Sequence, residues 1–255
     1  MFIVFNKQKI YSYLVAFTTV ITLFIFAFTI AKNPNTILTS TTNKELPIYA
    51  VDTQEKKIAF TINCAWNADD IDSILQTLKQ NEVKVTFFVV GDWVTKYPEA
   101  VKKISEAGHE IGNHSNTHPH VNNLSSSENQ KEVEACAEKV KSLTGKQTIL
   151  YRAPYGEYNN TVIRAAKSAN HVPIQWSLDT LDYTGLTGKE MWSRLDGKLK
   201  NGSIILMHNG TEHTADSLDM LLKNAKQAGY KVVTVSELIY KDSYIIDSTG
   251  TQRLQ

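Results

Sequence analysis

Gly108-His109-Glu110-Ile111-Gly112-Asn113-His114-Ser115-Asn116-Thr117-His118-Pro119-His120 holds four of the chain's seven histidines. Residues 109–113 read as a short strand. Gly108 before it and Pro119 after it punctuate the segment, so His114 and His118 fall on a loop just past a strand end. Two imidazoles at this spacing can converge on one divalent metal, or they are two ordinary loop histidines. His109 lies on the strand, faces into the fold and is given no ligand role. His120 reads as exposed.

Outward from this stretch, strand-like and helix-like runs alternate. Strands are predicted over 57–63, 85–90, 109–113, 149–151, 172–176, 203–207 and 231–234. Helices are predicted over 69–80, 98–107, 160–169, 189–199 and 215–228, with a short one through Leu238. A long helix ends at Leu143; Ser125 or Ser126 caps it, and Glu128 is placed for a capping box. Seven βα units in a domain of about 200 residues imply parallel strands with outer helices, in a barrel or a doubly wound sheet. Seven units of this length favour an α/β fold of the distorted or incomplete (β/α)7 barrel type.

The ends read differently. Lys7 and Lys9 precede an apolar run over 10–31 that has no charge, Gly or Pro. Such a run crosses a bilayer core of roughly 30 Å. This predicts a single-pass membrane anchor, with residues 1–9 inside the cell and the rest exported. Cleavage near Ala31, giving a secreted protein, is the alternative. Residues 32–55, rich in Thr, Ser and Asn, read as a stalk. Residues 56–240 are the folded domain and 241–255 a weakly ordered tail. A net charge of +1 gives no argument for a nucleic-acid partner.

Polar residues fall on this frame in a pattern. Asn63 and Cys64 end the first strand, and His114 and His118 follow the third. Arg152 ends the fourth, with Pro154 and Tyr155 behind it. Asp179 and Asp182 follow the fifth strand and His208 the sixth. Each has a plain reading alone: Arg152 a surface ion pair, Asp179 a helix cap, His208 a loop residue. Together they share the carboxyl ends of parallel strands, where such folds gather their chemistry, and this predicts one site. Asp69 and Asp70 are expected to cap the first helix, where Asp is favoured. Cys136 shares a helix face with Val133, Val140 and Leu143 and reads as core. A disulfide between Cys64 and Cys136 would need a strand end and a helix interior to meet.

With these motifs in place, the sequence resembles the polysaccharide deacetylases, carbohydrate esterases with a NodB-homology domain. The resemblance spans residues 57–238. Val85-Thr86-Phe87-Phe88-Val89-Val90-Gly91 is similar to that family's second strand, and His114-Ser115-Asn116-Thr117-His118 to its metal motif. Arg152-Ala153-Pro154-Tyr155-Gly156 and Ile205-Leu206-Met207-His208 resemble two further motifs. Trp176-Ser177-Leu178-Asp179-Thr180-Leu181-Asp182-Tyr183 resembles another, with Tyr183 where Trp is usual.

The resemblance implies N-acetyl hydrolysis on a glycan such as peptidoglycan, assisted by a divalent metal that polarises the carbonyl and activates water. It implies His114 and His118 as ligands, His208 as the acid, Asp179 tuning His208, and Arg152 orienting the base. The Tyr155 N–H would stabilise the oxyanion. Leu206 and Tyr183 would line the acetyl pocket, and Trp66 would stack on sugar. The first motif departs from the pattern: Thr61-Ile62-Asn63-Cys64 stands where Thr-Phe-Asp-Asp is usual. Asn63 occupies the base position, and an amide does not take a proton. Cys64 occupies the position of the metal carboxylate; with the two histidines it would make a zinc site. Asn63-Cys64-Ala65-Trp66 resembles a subgroup of spore-forming Firmicutes, which implies a cell-wall or spore-cortex substrate. The expectation is a zinc-dependent deacetylase; the alternative is a pseudoenzyme that binds glycan in the same groove.

Overall fold

In this computed structural model the described residues are 7–32 and 44–255, and within 7–32 the described side chains are those of 8, 11–25 and 28. The strands are β1 (Ala50–Val51), β2 (Lys57–Cys64), β3 (Thr86–Val89), β4 (Glu110–Asn113), β5 (Leu150–Tyr151), β6 (Val172–Pro173), β7 (Leu178–Asp179), β8 (Ile204–His208), β9 (Lys231–Val232), β10 (Tyr244–Ile246) and β11 (Thr251–Leu254). The helices are α1 (Lys7–Lys32), α2 (Ile71–Gln80), α3 (Gly91–Lys96), α4 (Pro98–Glu106), α5 (Ser126–Thr144), α6 (Asn160–Ser168), α7 (Gly188–Leu195), α8 (Thr214–Gln227) and α9 (Val235–Leu238).

β2 is the centre of the sheet and packs on both faces. Ile58, Phe60, Ile62 and Cys64 pack with Ile71, Ile74 and Leu222 of the outer helices. Alternate residues face the other way: Ala59 packs with Ile48, Phe88, Leu150 and Ile174. Successive side chains of a strand point to opposite faces, so β2 is buried on both and reads as a nearly continuous apolar run.

The parallel strands follow the order β6-β5-β4-β3-β2-β8-β7, and β9 pairs with the start of β2. No pairing joins β6 to β7 among the described residues, so this is the incomplete barrel that the βα count predicts. Residues 48–51 run from the end of β6 to the start of β8. Ile48 N donates to Pro173 O at 2.9 Å, Gln175 N to Ile48 O at 2.7 Å, and Val51 N to Gly202 O at 3.0 Å. Gly202 has φ +79°, and a Cβ there would sit 1.7 Å from the Val51 carbonyl oxygen, so only glycine fits.

Several sequence expectations are corrected. Residues 44–255 form one compact unit, so 44–55 belong to the domain rather than to a stalk. The expected tail is a hairpin: β10 pairs antiparallel with β11, and β11 runs parallel beside β1. Its alternation is short and half-polar, which hid it. β7 and α3 were missed because two- and six-residue elements carry too little periodicity. The rest of the expected stalk, 33–43, and residues 1–6 of the N-terminus lie outside the described residues. The expected transmembrane helix over 10–31 falls within α1. Among the described residues no helix is long and apolar enough to cross a membrane, so the span is not supported here; several α1 side chains are not among those described.

Candidate functional site

Arg152, at the end of β5, lies under the carboxyl end of the sheet with no exposure. Its Nη1 donates to Thr61 Oγ1 at 2.7 Å and to Asn63 Oδ1 at 3.0 Å, and its Nη2 donates to Gln175 O at 3.1 Å. Nε has no partner among the described residues. The guanidinium rests 4.1 Å from the Phe88 ring centroid. With no carboxylate bonded to it, burial pushes Arg152 down to about 9.

An arginine only donates, so the Asn63 amide must turn its oxygen towards Arg152 and its nitrogen away. That nitrogen lies 3.3 Å from His114 Nε2. His114 Nδ1 is 2.6 Å from the Arg152 carbonyl oxygen, which can only accept. The imidazole is therefore neutral, with its proton on Nδ1 and its Nε2 lone pair facing the Asn63 N–H. Burial, then neighbouring His118, pushes His114 well below the ordinary histidine range.

The loop after β4 is held from α5. Glu132 accepts from Asn116 N at 2.9 Å and from Thr117 N at 2.8 Å. His118 N donates to Ser115 Oγ at 3.0 Å. The His114 and His118 ring centroids are 4.9 Å apart, and His118 meets the Tyr155 ring at 4.6 Å. Ser115, His118, Tyr155 and Leu181 all have φ between 53° and 65°, so four site-loop residues are held in the left-handed region. His120 stacks on the outer side of Tyr155 and pairs with Glu157 at 2.7 Å.

Across the pocket, His208 ends β8. Asp182, fully buried, accepts from His208 Nδ1 at 2.9 Å, His208 N at 2.6 Å and Thr214 Oγ1 at 2.7 Å. The tuning role expected of Asp179 therefore belongs to Asp182. Asp179 lines the pocket and accepts from Leu181 N at 2.8 Å. Burial pushes its carboxyl up. Trp66 stacks on His208 at 5.3 Å, and Tyr183 meets the same ring edge-on at 5.3 Å.

The pocket measures about 610 Å³ and brings together Asn63, Trp66, His114, His118, Tyr155, Asp179, Tyr183, Leu206 and His208. Arg152 lies beneath it. Cys64 is the residue the site does not receive. Its neighbour Asn63 faces the pocket, so Cys64 faces the helices, with no exposure and within the apolar core. Burial raises its thiol well above the ordinary range, with Asp70 adding to the effect. Cys64 and Cys136 are both free thiols.

These residues do not fit the zinc set of two histidines and a thiolate. Cys64 points away, and an amide N–H sits at the His114 lone pair a metal would need. Among the described residues no three His, Cys, Asp or Glu side chains converge. Asp70 stands before α2 without capping it through its side chain. It accepts instead from Asn209 Nδ2 at 3.1 Å and Gly210 N at 2.7 Å, fixing the turn after His208. Sequence reasoning missed Glu132, Thr214 and this use of Asp70, because each acts through a partner distant in sequence.

A family model described as polysaccharide deacetylase matches residues 50–174. Peptidoglycan-N-acetylmuramic acid deacetylase PdaA of Bacillus subtilis is 30% identical over 80% of this chain and 79% of its own length. The chain belongs to the polysaccharide deacetylase family. The uncharacterized protein YlxY of the same organism is 34% identical over 76% of this chain, which spans 60% of YlxY. Among solved structures, a family 4 carbohydrate esterase pseudoenzyme from Bacillus anthracis superposes with a TM-score of 0.73 at 33% identity, covering 75% of this chain and 68% of that one.

Proposed function

We propose that this polysaccharide deacetylase domain holds a peptidoglycan-like glycan in its pocket and does not hydrolyse its N-acetyl groups. The observation that carries this reading is the hydrogen-bonded run Arg152–Asn63–His114. A water attacking an acetamide must give up a proton, and the amide at the base position cannot receive it. The same amide occupies the imidazole lone pair. Glycan binding is supported by the rim: Trp66, Tyr155 and Tyr183 are about half exposed and all line this pocket. Such rings offer flat apolar faces to sugars and polar edges to their hydroxyls. The setting we propose is the cell wall or spore cortex. Residues 10–31, a run without a charge, support anchoring at the outer face of the membrane.

A second reading, zinc-dependent peptidoglycan deacetylation, is favoured by the adjacent His114 and His118 rings and by the intact His208–Asp182 pair. Zinc calorimetry and acetate release from purified peptidoglycan separate the two. The parent should bind peptidoglycan, bind zinc weakly and release no acetate with or without zinc. Asn63→Asp should bind zinc more tightly, because a carboxylate cannot donate to His114 Nε2 and is itself a ligand. Zinc-stimulated acetate release by the parent would overturn the binding-only reading.

A further inference from the structure

We propose that the pocket prefers a glycan whose amino groups are free, with the ammonium of a glucosamine-type sugar seated on the Asp179 carboxylate. This rests on the glycan-binding reading above and names the class of glycan. Among the described residues of the lining, Asp179 is the only acidic or basic one apart from histidines. Its Oδ1 accepts from Leu181 N, and its Oδ2 has no hydrogen-bond partner among the described residues. Positive groups nearby do not satisfy it. Arg194 spends its Nε on the Asp179 backbone oxygen at 2.8 Å. Arg152 is sealed beneath the floor by Thr61, Asn63, Gln175 and Phe88. Burial raises the Asp179 carboxyl, and Asp182 adds to this, against the pull of the Leu181 N–H, His208 and Arg194.

An N-acetyl group gains no donor from Asn63, whose N–H on the pocket floor is turned to His114. A protonated amine instead gains a charge-assisted hydrogen bond to Asp179. The half-exposed aromatic rim of Trp66 and Tyr183 also favours a cation over a neutral amide. The reaction class that supplies such a ligand is hydrolytic N-deacetylation, so this chain binds a strand that another enzyme has already deacetylated.

The test uses the full chain and two probes, hexameric β-1,4-glucosamine and hexameric β-1,4-N-acetylglucosamine, titrated at low salt and about pH 6, where a sugar amine is largely protonated. Glucosamine should bind about tenfold more tightly, one charge-assisted hydrogen bond's worth. High salt should shrink the preference. Asp179→Asn should abolish it, with the loop kept in place because the Asn side-chain oxygen still accepts from Leu181 N. Equal or tighter binding of the acetylated hexamer by the parent would overturn the proposal while leaving glycan binding intact. An undiminished preference in Asp179→Asn would overturn it too. Failure of both hexamers to bind would overturn this proposal and the glycan-binding reading together.

Discussion

At position 63 an amide joins two buried groups: its oxygen accepts from Arg152 Nη1 and its nitrogen faces His114 Nε2. A carboxylate there would pair with Arg152 and offer His114 no donor. The residue type was readable in the sequence; the direction of its amide was not, because a guanidinium from another strand sets it. His109 gives a test at this scale. It is 5% exposed, its Nδ1 accepts from Val85 N at 3.3 Å, and burial pushes it down to about 4. In the unfolded chain it titrates near 6.5. The unfolded state therefore binds more protons between these values, so stability is full above about pH 6.5 and falls towards pH 4, by on the order of 2–3 kcal/mol. His109→Asn keeps an acceptor for Val85 and should flatten the urea midpoint against pH over that window. An unchanged slope in the variant would assign the effect to other groups.

Elements decide which side chains meet. The period of two along β2 places Asn63 in the pocket and Cys64 among the helices, so neighbours in sequence cannot share one metal from a regular strand. Elsewhere, capping chemistry read from sequence survives intact. Ser125 caps α5, with its hydroxyl and the Glu128 carboxylate closing a capping box. α5 in turn carries Glu132, which fixes the loop of His118. Ser125→Ala should lower stability by about 1 kcal/mol in urea denaturation. A variant as stable as the parent would mean that packing of α5, not its cap, sets its start.

For the whole molecule, the N-terminal segment and the C-terminal hairpin are sewn together: β1 lies beside β11, and Gln252, fully buried, bonds Tyr240 at both ends of its amide. Anchoring through residues 10–31 gives a prediction at this scale. Full-length protein should stay in the membrane fraction through a high-salt wash, because apolar burial is not screened by salt. Recovery of soluble protein beginning near Lys32 would instead point to cleavage.

By itself the sequence determined the alternation of strands and helices, the rim of polar residues at strand ends and the family they resemble. These are local signals: periodicity, caps and motif spacing are written in neighbouring residues. Tertiary structure alone decided what pairs across the chain. It gave His208 to Asp182 rather than Asp179, turned Asp70 to the loop after β8, brought residues 48–51 between the end of β6 and the start of β8 and made a hairpin of the tail. The hairpin itself is held by β11 pairing with β1, and apart from its own rungs, each of these is a hydrogen bond or packing contact between residues far apart in sequence. Its partner is fixed by how the sheet curls, and no short stretch of sequence records that curl.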